Sequence, residues 1–250
     1  MATAVEEIKK LQRSVEDRER DYFTIDEFWL IKEALPDLKL ELILGELVVK
    51  PEQGRDYFTI PEFEIVADLF PDHRLELIKG EIVMSPKPSN AHQQITGWLT
   101  TQFGLYAQQI IALDCHIAGS SYFYEVPEEI GEKFVLPGGG IPSDVCPDAS
   151  ICFQDYLDTN RLPPALLVVE VLSASKRQHV ERDMLTKPEI YAALKIPAYW
   201  VVDRRYQTGW VHTEPSESGY KSRRQFKGDA ILPAPGLDFL QITPAQIFKE

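Results

Sequence analysis

Cysteine is scarce: the 250 residues contain three, Cys115, Cys146 and Cys152. The count is odd and no two of them form a CxxC pair, so neither a disulfide framework nor a zinc knuckle is indicated, and the three read as small buried apolar residues. Long apolar runs are missing too. No stretch approaches the roughly 18 residues of a membrane span, and the N-terminus, MATAVEEIKKLQRSVEDRER, lacks the apolar segment of a secretory signal. The expectation is a cytoplasmic protein with no membrane partner. Positive charge is also short, since 26 Lys and Arg stand against 39 Asp and Glu and leave a formal net charge of −13. A protein that coats nucleic acid non-specifically needs a broad basic surface to displace counterions. That class is excluded, whereas a local basic groove is not.

What the chain does contain is a repeat. DYFTIDEFWLIKEALPDLKLELILGELVVKP begins at Asp21, and DYFTIPEFEIVADLFPDHRLELIKGEIVMSPKP begins at Asp56, a constant offset of 35 residues. Thr24 with Glu27, and Thr59 with Glu62, form capping boxes that predict a short helix in each copy. After Pro71-Asp72, LELI and EIVM flank Lys79-Gly80, and the glycine supplies the positive φ of a two-residue hairpin turn. Glu76 and Glu81 then share one face, and Leu75, Leu77, Ile82 and Met84 share the other. Two units are too few for a solenoid, so this is a tandem duplication. Only the second copy runs on into the remaining chain, which divides the sequence into an N-terminal extension, 1–55, and a domain, 56–250. Val5, Ile8, Leu11 and Val15 form a narrow helical stripe ahead of the repeat. Together with the strand edge of the spare hairpin, it suggests a homodimer.

Beyond the repeat, Ile95, Trp98, Leu99, Phe103 and Tyr106 predict an amphipathic helix with His92 one turn before the stripe. Strands are expected at 121–124, 134–136 and Ala149–Phe153. Residues 166–172, LLVVEVL, are a continuous β-branched run, the mark of a strand covered on both faces. A polar helix over 176–194 leads to a second buried strand at Ala198–Asp203, followed by strands near Trp210 and over 220–226 and a capped terminal turn at Thr243 to Gln246. The order predicts a mixed α/β sheet with a helical crossover.

An acid inside a buried strand is costly unless something pairs or coordinates it. Glu170 is such a residue, and about twenty residues earlier Pro147-Asp148 opens another strand. If the two strands are neighbours, their carboxylates reach one point. Two hard oxygen ligands suit Mg2+ or Mn2+, which keep several waters of their own. The plainer alternative is a strand-end glutamate exposed beyond the core and a turn aspartate; spacing alone leaves both open.

CPDASICF followed by LLVVEVLSASKRQHVERDMLTKPEIYAALKIPAYWVVDRR resembles the Uma-type restriction-endonuclease family of the PD-(D/E)XK nuclease superfamily. The matching motifs are Pro147-Asp148, VVEVLS from Val168, Asp183/Lys187/Tyr191 on a helix, and YWVVD from Tyr199. The LELIKGEIVMSPKP hairpin and the His92 helix also look like the start of that family's domain, so the resemblance spans about 56–250. It implies a restriction-endonuclease-like core behind an N-terminal helix and hairpin extension. It further implies a metal-dependent endonuclease that hydrolyses phosphodiester bonds in DNA, with Asp148 and Glu170 as ligands of Mg2+ or Mn2+. The superfamily lysine usually lies two places after the glutamate. Here that place is Leu172, and the family's substitute from the following helix maps onto Lys187, which would assist water attack; Lys176, at the helix's other end, is the second candidate.

Pro188 directly after Lys187 predicts an interruption there, because proline lacks the amide a helix uses and disfavours helical geometry in the residue before it. Glu76 and Glu81 are further acidic candidates, His92 is either a core-edge histidine or a ligand, and Lys176, Arg177, Arg182, Arg204 and Arg205 are candidates for phosphate contacts. Two carboxylates held together should repel, so neutralising one is expected to stabilise the fold slightly. The competing reading is a non-catalytic interaction or nucleic-acid-binding module that keeps the nuclease fold.

Overall fold

The computed structural model describes residues 20–50, 55–86, 88–119, 124–126, 143–154, 163–172 and 177–249. The stripe from Val5 to Val15, the strand expected at 134–136 and Lys176 lie outside the described residues. The chain divides into two compact units, one drawn from 1–87 and 125–145, the other from 88–124 and 146–250.

In the first unit the duplication is repeated in three dimensions. Helix α1 (Ile25–Ala34) precedes strands β1 (Leu40–Ile43) and β2 (Glu46–Val49), and helix α2 (Ile60–Leu69) precedes β3 (Arg74–Ile78) and β4 (Glu81–Ser85). Both capping boxes form, with Thr24 N–H and Thr59 N–H each donating at 2.8 Å to the glutamate three residues on. Arg20 grips Glu27 as Arg55 grips Glu62. Burial opposes ionisation of Glu27, yet the Arg20 and Thr24 bonds outweigh it and hold the carboxyl below its usual range. Each hairpin turns on two left-handed residues, Leu44-Gly45 and Lys79-Gly80, the two-residue turn whose twist suits paired strands. The carbonyls of Gly45 and Gly80 accept at 2.8 Å from the N–H of Phe23 and Phe58, again 35 residues apart. At Gly45 a Cβ would lie 2.5 Å from that of Tyr22, so the close approach as well as the φ requires glycine.

The two copies share one core. Phe23, Ile31, Leu40 and Leu47 of the first pack with Phe63, Val66, Phe70 and Leu77 of the second, and the Phe23 and Phe70 rings meet edge to face at 6.1 Å. Each helix and hairpin has one apolar face, and each covers the other's. Deleting residues 1–54 is therefore expected to leave 55–250 folded but with that face uncovered. Urea denaturation should still show one cooperative transition, at lower midpoint, and light scattering should show self-association. A truncated chain that stays monomeric with an unchanged midpoint would contradict this.

The second unit begins with α3 (Asn90–Gly104), capped by Ser89, whose hydroxyl accepts from His92 N–H. It buries Ile95, Leu99 and Phe103 as their spacing requires. Two elements that carry no periodic signal follow, α4 (Ala107–Ile111) and β5 (Cys115–Gly119). Strands β6 (Tyr124–Glu125) and β7 (Asp144–Val145) join β3 and β4 in a sheet of order β4-β3-β7-β6. Then come β8 (Ala149–Phe153), β9 (Ala165–Val171), β10 (Ala198–Asp203), β11 (Thr208–Ser216) and β12 (Gly219–Lys227). With β5 they form a six-stranded sheet of order β12-β11-β10-β9-β8-β5. β9 and β10 are parallel and joined by a helical crossover; the other pairs are antiparallel. This is the mixed α/β architecture the sequence predicts. Leu99, Phe103, Ile151, Val169, Trp200 and Val211 belong to its core, and all three cysteines are buried thiols outside any disulfide.

The crossover refines the expectation at Pro188. It runs as α5 (Arg177–Glu181), a π-helical turn at Arg182–Thr186, and α6 (Lys187–Ala193). Lys187 keeps helical dihedrals, and its N–H bonds the carbonyl of Arg182, five residues back. Widening this turn gives the proline ring room and accommodates the missing amide, so the chain bulges where a break was predicted. A terminal turn, α7 (Pro244–Ile247), is capped by Thr243 and Gln246 as expected.

Packed in the second unit's sheet, His212 lies against Tyr199, with ring centroids 5.3 Å apart. Burial first, and the Arg223 charge second, lower its pKa from 6.5 to about 4. The unfolded chain therefore takes up this proton first as pH falls, so stability present above pH 6.5 is lost as pH drops towards 4, by about 3 kcal/mol if no other group compensates. The variant His212→Phe should lose less stability between pH 7 and pH 4.5 than wild type in urea titrations; parallel losses would remove His212 from the account.

Candidate active site

Pro147 has no N–H to give a ladder, so pairing of β8 starts at the residue after it. Asp148 N–H donates to the Val169 carbonyl at 3.0 Å, and Ala149 pairs with Val169. The next position outward sets Asp148 across from Glu170. Both acids are buried, at 2% and 3% exposure. The neighbouring strands foreseen from the sequence thus bring both carboxylates to one end of the sheet, where β9 and β10 finish and β8 begins.

Each carboxylate is held through a named oxygen. Asp148 Oδ2 accepts from Val171 N–H at 2.7 Å and lies 2.9 Å from His92 Nε2, a contact that requires the histidine proton on that nitrogen. Glu170 Oε1 accepts from Lys187 Nζ at 2.6 Å and from the Tyr191 hydroxyl at 3.0 Å. Lys187 and Tyr191 are four apart on α6, so they share a face. Lys187 is 1% exposed, and its ammonium also lies 3.8 Å from Asp183 Oδ1 in the π turn. The Asp183 carbonyl accepts from the Tyr199 hydroxyl at 2.6 Å. Burial, reinforced by the charges of Glu170 and Asp183, pushes the Tyr199 phenol well above its ordinary range, so it acts as a neutral donor.

The structure therefore places Asp148 and His92 in contact, and Glu170 with Lys187, Tyr191 and Asp183 around it, all residues that the sequence motifs name. His92 was the least legible, since its partner is 56 residues away; its place at the first turn of α3 was the available signal. Glu76 and Glu81 lie in the first unit, the former buried and the latter exposed at the surface. Arg182 lies 3.7 Å from Asp183, Arg205 is paired with Asp203, and Arg204 is exposed.

Among the described residues no group of three or more His, Cys, Asp and Glu is arranged to hold a metal ion. The acidic pair is a smaller donor set whose chemistry fits Mg2+ or Mn2+: hard oxygens from two adjacent strands, with carboxylates that each offer about four acceptor positions. Such ions keep several waters and need few protein ligands.

A family model described as Uma2, putative restriction endonuclease, matches residues 56–245. Among solved structures, the chain is similar to a putative nuclease of the DUF820 group from Anabaena variabilis. The identity is 18% and the TM-score 0.50, over 70% of this chain and 89% of that one, a likeness of fold. No curated protein matches the chain.

Proposed function

Because the chain belongs to the Uma2 restriction-endonuclease family, we propose that it is a metal-dependent endonuclease that hydrolyses phosphodiester bonds in DNA. In this reading Asp148 and Glu170 hold Mg2+ or Mn2+, and Lys187 stands beside them as the cation facing the attacked phosphate. The observation that carries it is the buried meeting of Asp148, Glu170 and Lys187 at one sheet end, with Lys187 Nζ 2.6 Å from Glu170. When bound, the ion polarises a phosphoryl oxygen and acidifies a coordinated water.

The chain's own residues do the positioning. Val171 N–H and His92 fix the Asp148 carboxylate, while Lys187 and Tyr191 fix that of Glu170. An ammonium shielded from bulk water also stabilises negative charge on a phosphoryl group far better than one in solvent.

The test is a plasmid-nicking assay with Mg2+, Mn2+ or EDTA, beside calorimetric titration with Mn2+. Nicking that requires the metal, with saturable Mn2+ heat, is expected. One observation favours a second reading: the Glu170–Lys187 pair satisfies both charges as a structural ion pair would. A non-catalytic interaction module built around that pair would neither bind Mn2+ nor nick DNA, and that joint result would overturn the nuclease assignment.

A further inference from the structure

We propose that the turn between β10 and β11, together with the outer strand β12, is the surface along which duplex DNA lies; the proposal rests on the nuclease reading above. Topology puts this surface at the right end of the molecule's second unit. β10 ends at Asp203, which pairs with Thr208 at the start of β11, and Thr208 pairs with Lys227 at the end of β12. Asp148 and Glu170 occupy that same end of the sheet. One row of the sheet runs Glu170, Val201, Trp210, Gln225. Three inter-strand steps separate its ends by roughly 14 Å, about four base-pair steps along a duplex.

Charge selects the partner. From Arg204 to Gly228 the chain carries six cations, Arg204, Arg205, Lys221, Arg223, Arg224 and Lys227, against Glu214 and Glu217, within a protein of net charge −13. All six are exposed. Among the described residues only Arg205 of these is in an ion pair, with Asp203. Cations outside any ion pair are unusual on so acidic a chain. Several are also pre-positioned: Arg223 sits 4.7 Å above the Trp210 ring, Arg224 lies over Phe226, and Arg205 is tethered through its own N–H and guanidinium to Asp203. Ordered cations lose less entropy when they meet phosphates.

Duplex is favoured over single strand because one exposed ring, Tyr206 at 69%, tops the turn, whereas single-strand grooves present successive stacking platforms. Contacts of this kind hold the backbone in place and carry no base sequence.

The experiment is fluorescence anisotropy of a labelled duplex of about 20 base pairs, in EDTA so that cleavage does not intervene, over a salt series. Three proteins are compared: wild type, Arg204→Gln with Lys227→Gln, and Arg223→Gln with Arg224→Gln. Each pair should weaken binding roughly tenfold at low salt and flatten the salt slope by about 2. A control, Lys32→Gln with Lys195→Gln, removes the same charge elsewhere and should bind as wild type does. Equal weakening in the control, absence of duplex binding by wild type, or preference for single-stranded DNA or RNA would each overturn the surface. Variants that lose binding while wild type never nicks plasmid would leave the surface standing and sink the nuclease reading. Unimpaired binding beside metal-dependent nicking would do the reverse.

Discussion

Replacing Glu170 with glutamine, or Asp148 with asparagine, is expected to reduce metal-dependent nicking by at least about 1000-fold, equivalent to about 4 kcal/mol of transition-state stabilisation. An amide keeps the shape of the carboxylate and removes the charge that holds a divalent ion. Calorimetric Mn2+ binding should fall in parallel in both variants. The two should differ in stability. Asp148 is held by a backbone N–H and His92, which an asparagine oxygen continues to satisfy. Glu170 is the counter-ion of a lysine at 1% exposure. The sequence-based expectation for either acid was a slight gain from relieved repulsion; the Lys187–Glu170 ion pair makes a loss the expected outcome for Glu170→Gln. Unchanged Mn2+ affinity in both variants would remove the pair from the metal site.

Replacing Lys187 with alanine is expected to cost about 3–5 kcal/mol of folding stability, because Glu170 would be left as a buried charge without its cation. The loss should be read as a lower urea midpoint at unchanged slope. Pairing Lys187→Met with Glu170→Gln should recover most of it, since both charges then leave together and the methionine refills the volume. Nicking by the single variant Lys187→Met, at a temperature where it is folded, should be strongly reduced while Mn2+ binding persists. A double variant no more stable than Lys187→Ala would show that packing of the lysine stem, rather than its pairing, is what matters. Together these outcomes separate the lysine's charge from its bulk.

Part of this site was legible because its signals are local, and the family resemblance selected which of them belong together. An acid inside VVEV conflicts with burial wherever that strand goes, and Pro147 marks a strand entrance whatever lies beside it. The Asp183/Lys187/Tyr191 spacing places three side chains on one helical face. Helix caps, hairpin turns and the continuous apolar strands were readable for the same reason, since each depends on residues within a few positions of one another. The short segments Ala107–Ile111 and Cys115–Gly119 were not, because five residues carry too little periodicity to distinguish helix, strand and loop.

The sequence by itself determined the duplication and the order of the main strands, consequences of local propensity, while the cost of burying charge marked Glu170 and the family resemblance paired it with Asp148. Tertiary structure alone decided the rest. Only pairing of β8 with β9 sets Asp148 opposite Glu170. Only the path of α3 brings His92 to Asp148, and only the π turn shows how Pro188 is accommodated without moving Lys187 off the helix. Only folding reveals that the extra copy covers the apolar face of its twin. These are long-range outcomes: which strand edge, which helix face and which ring finally meet depends on how the whole apolar surface is best buried, and no short window of sequence contains that information.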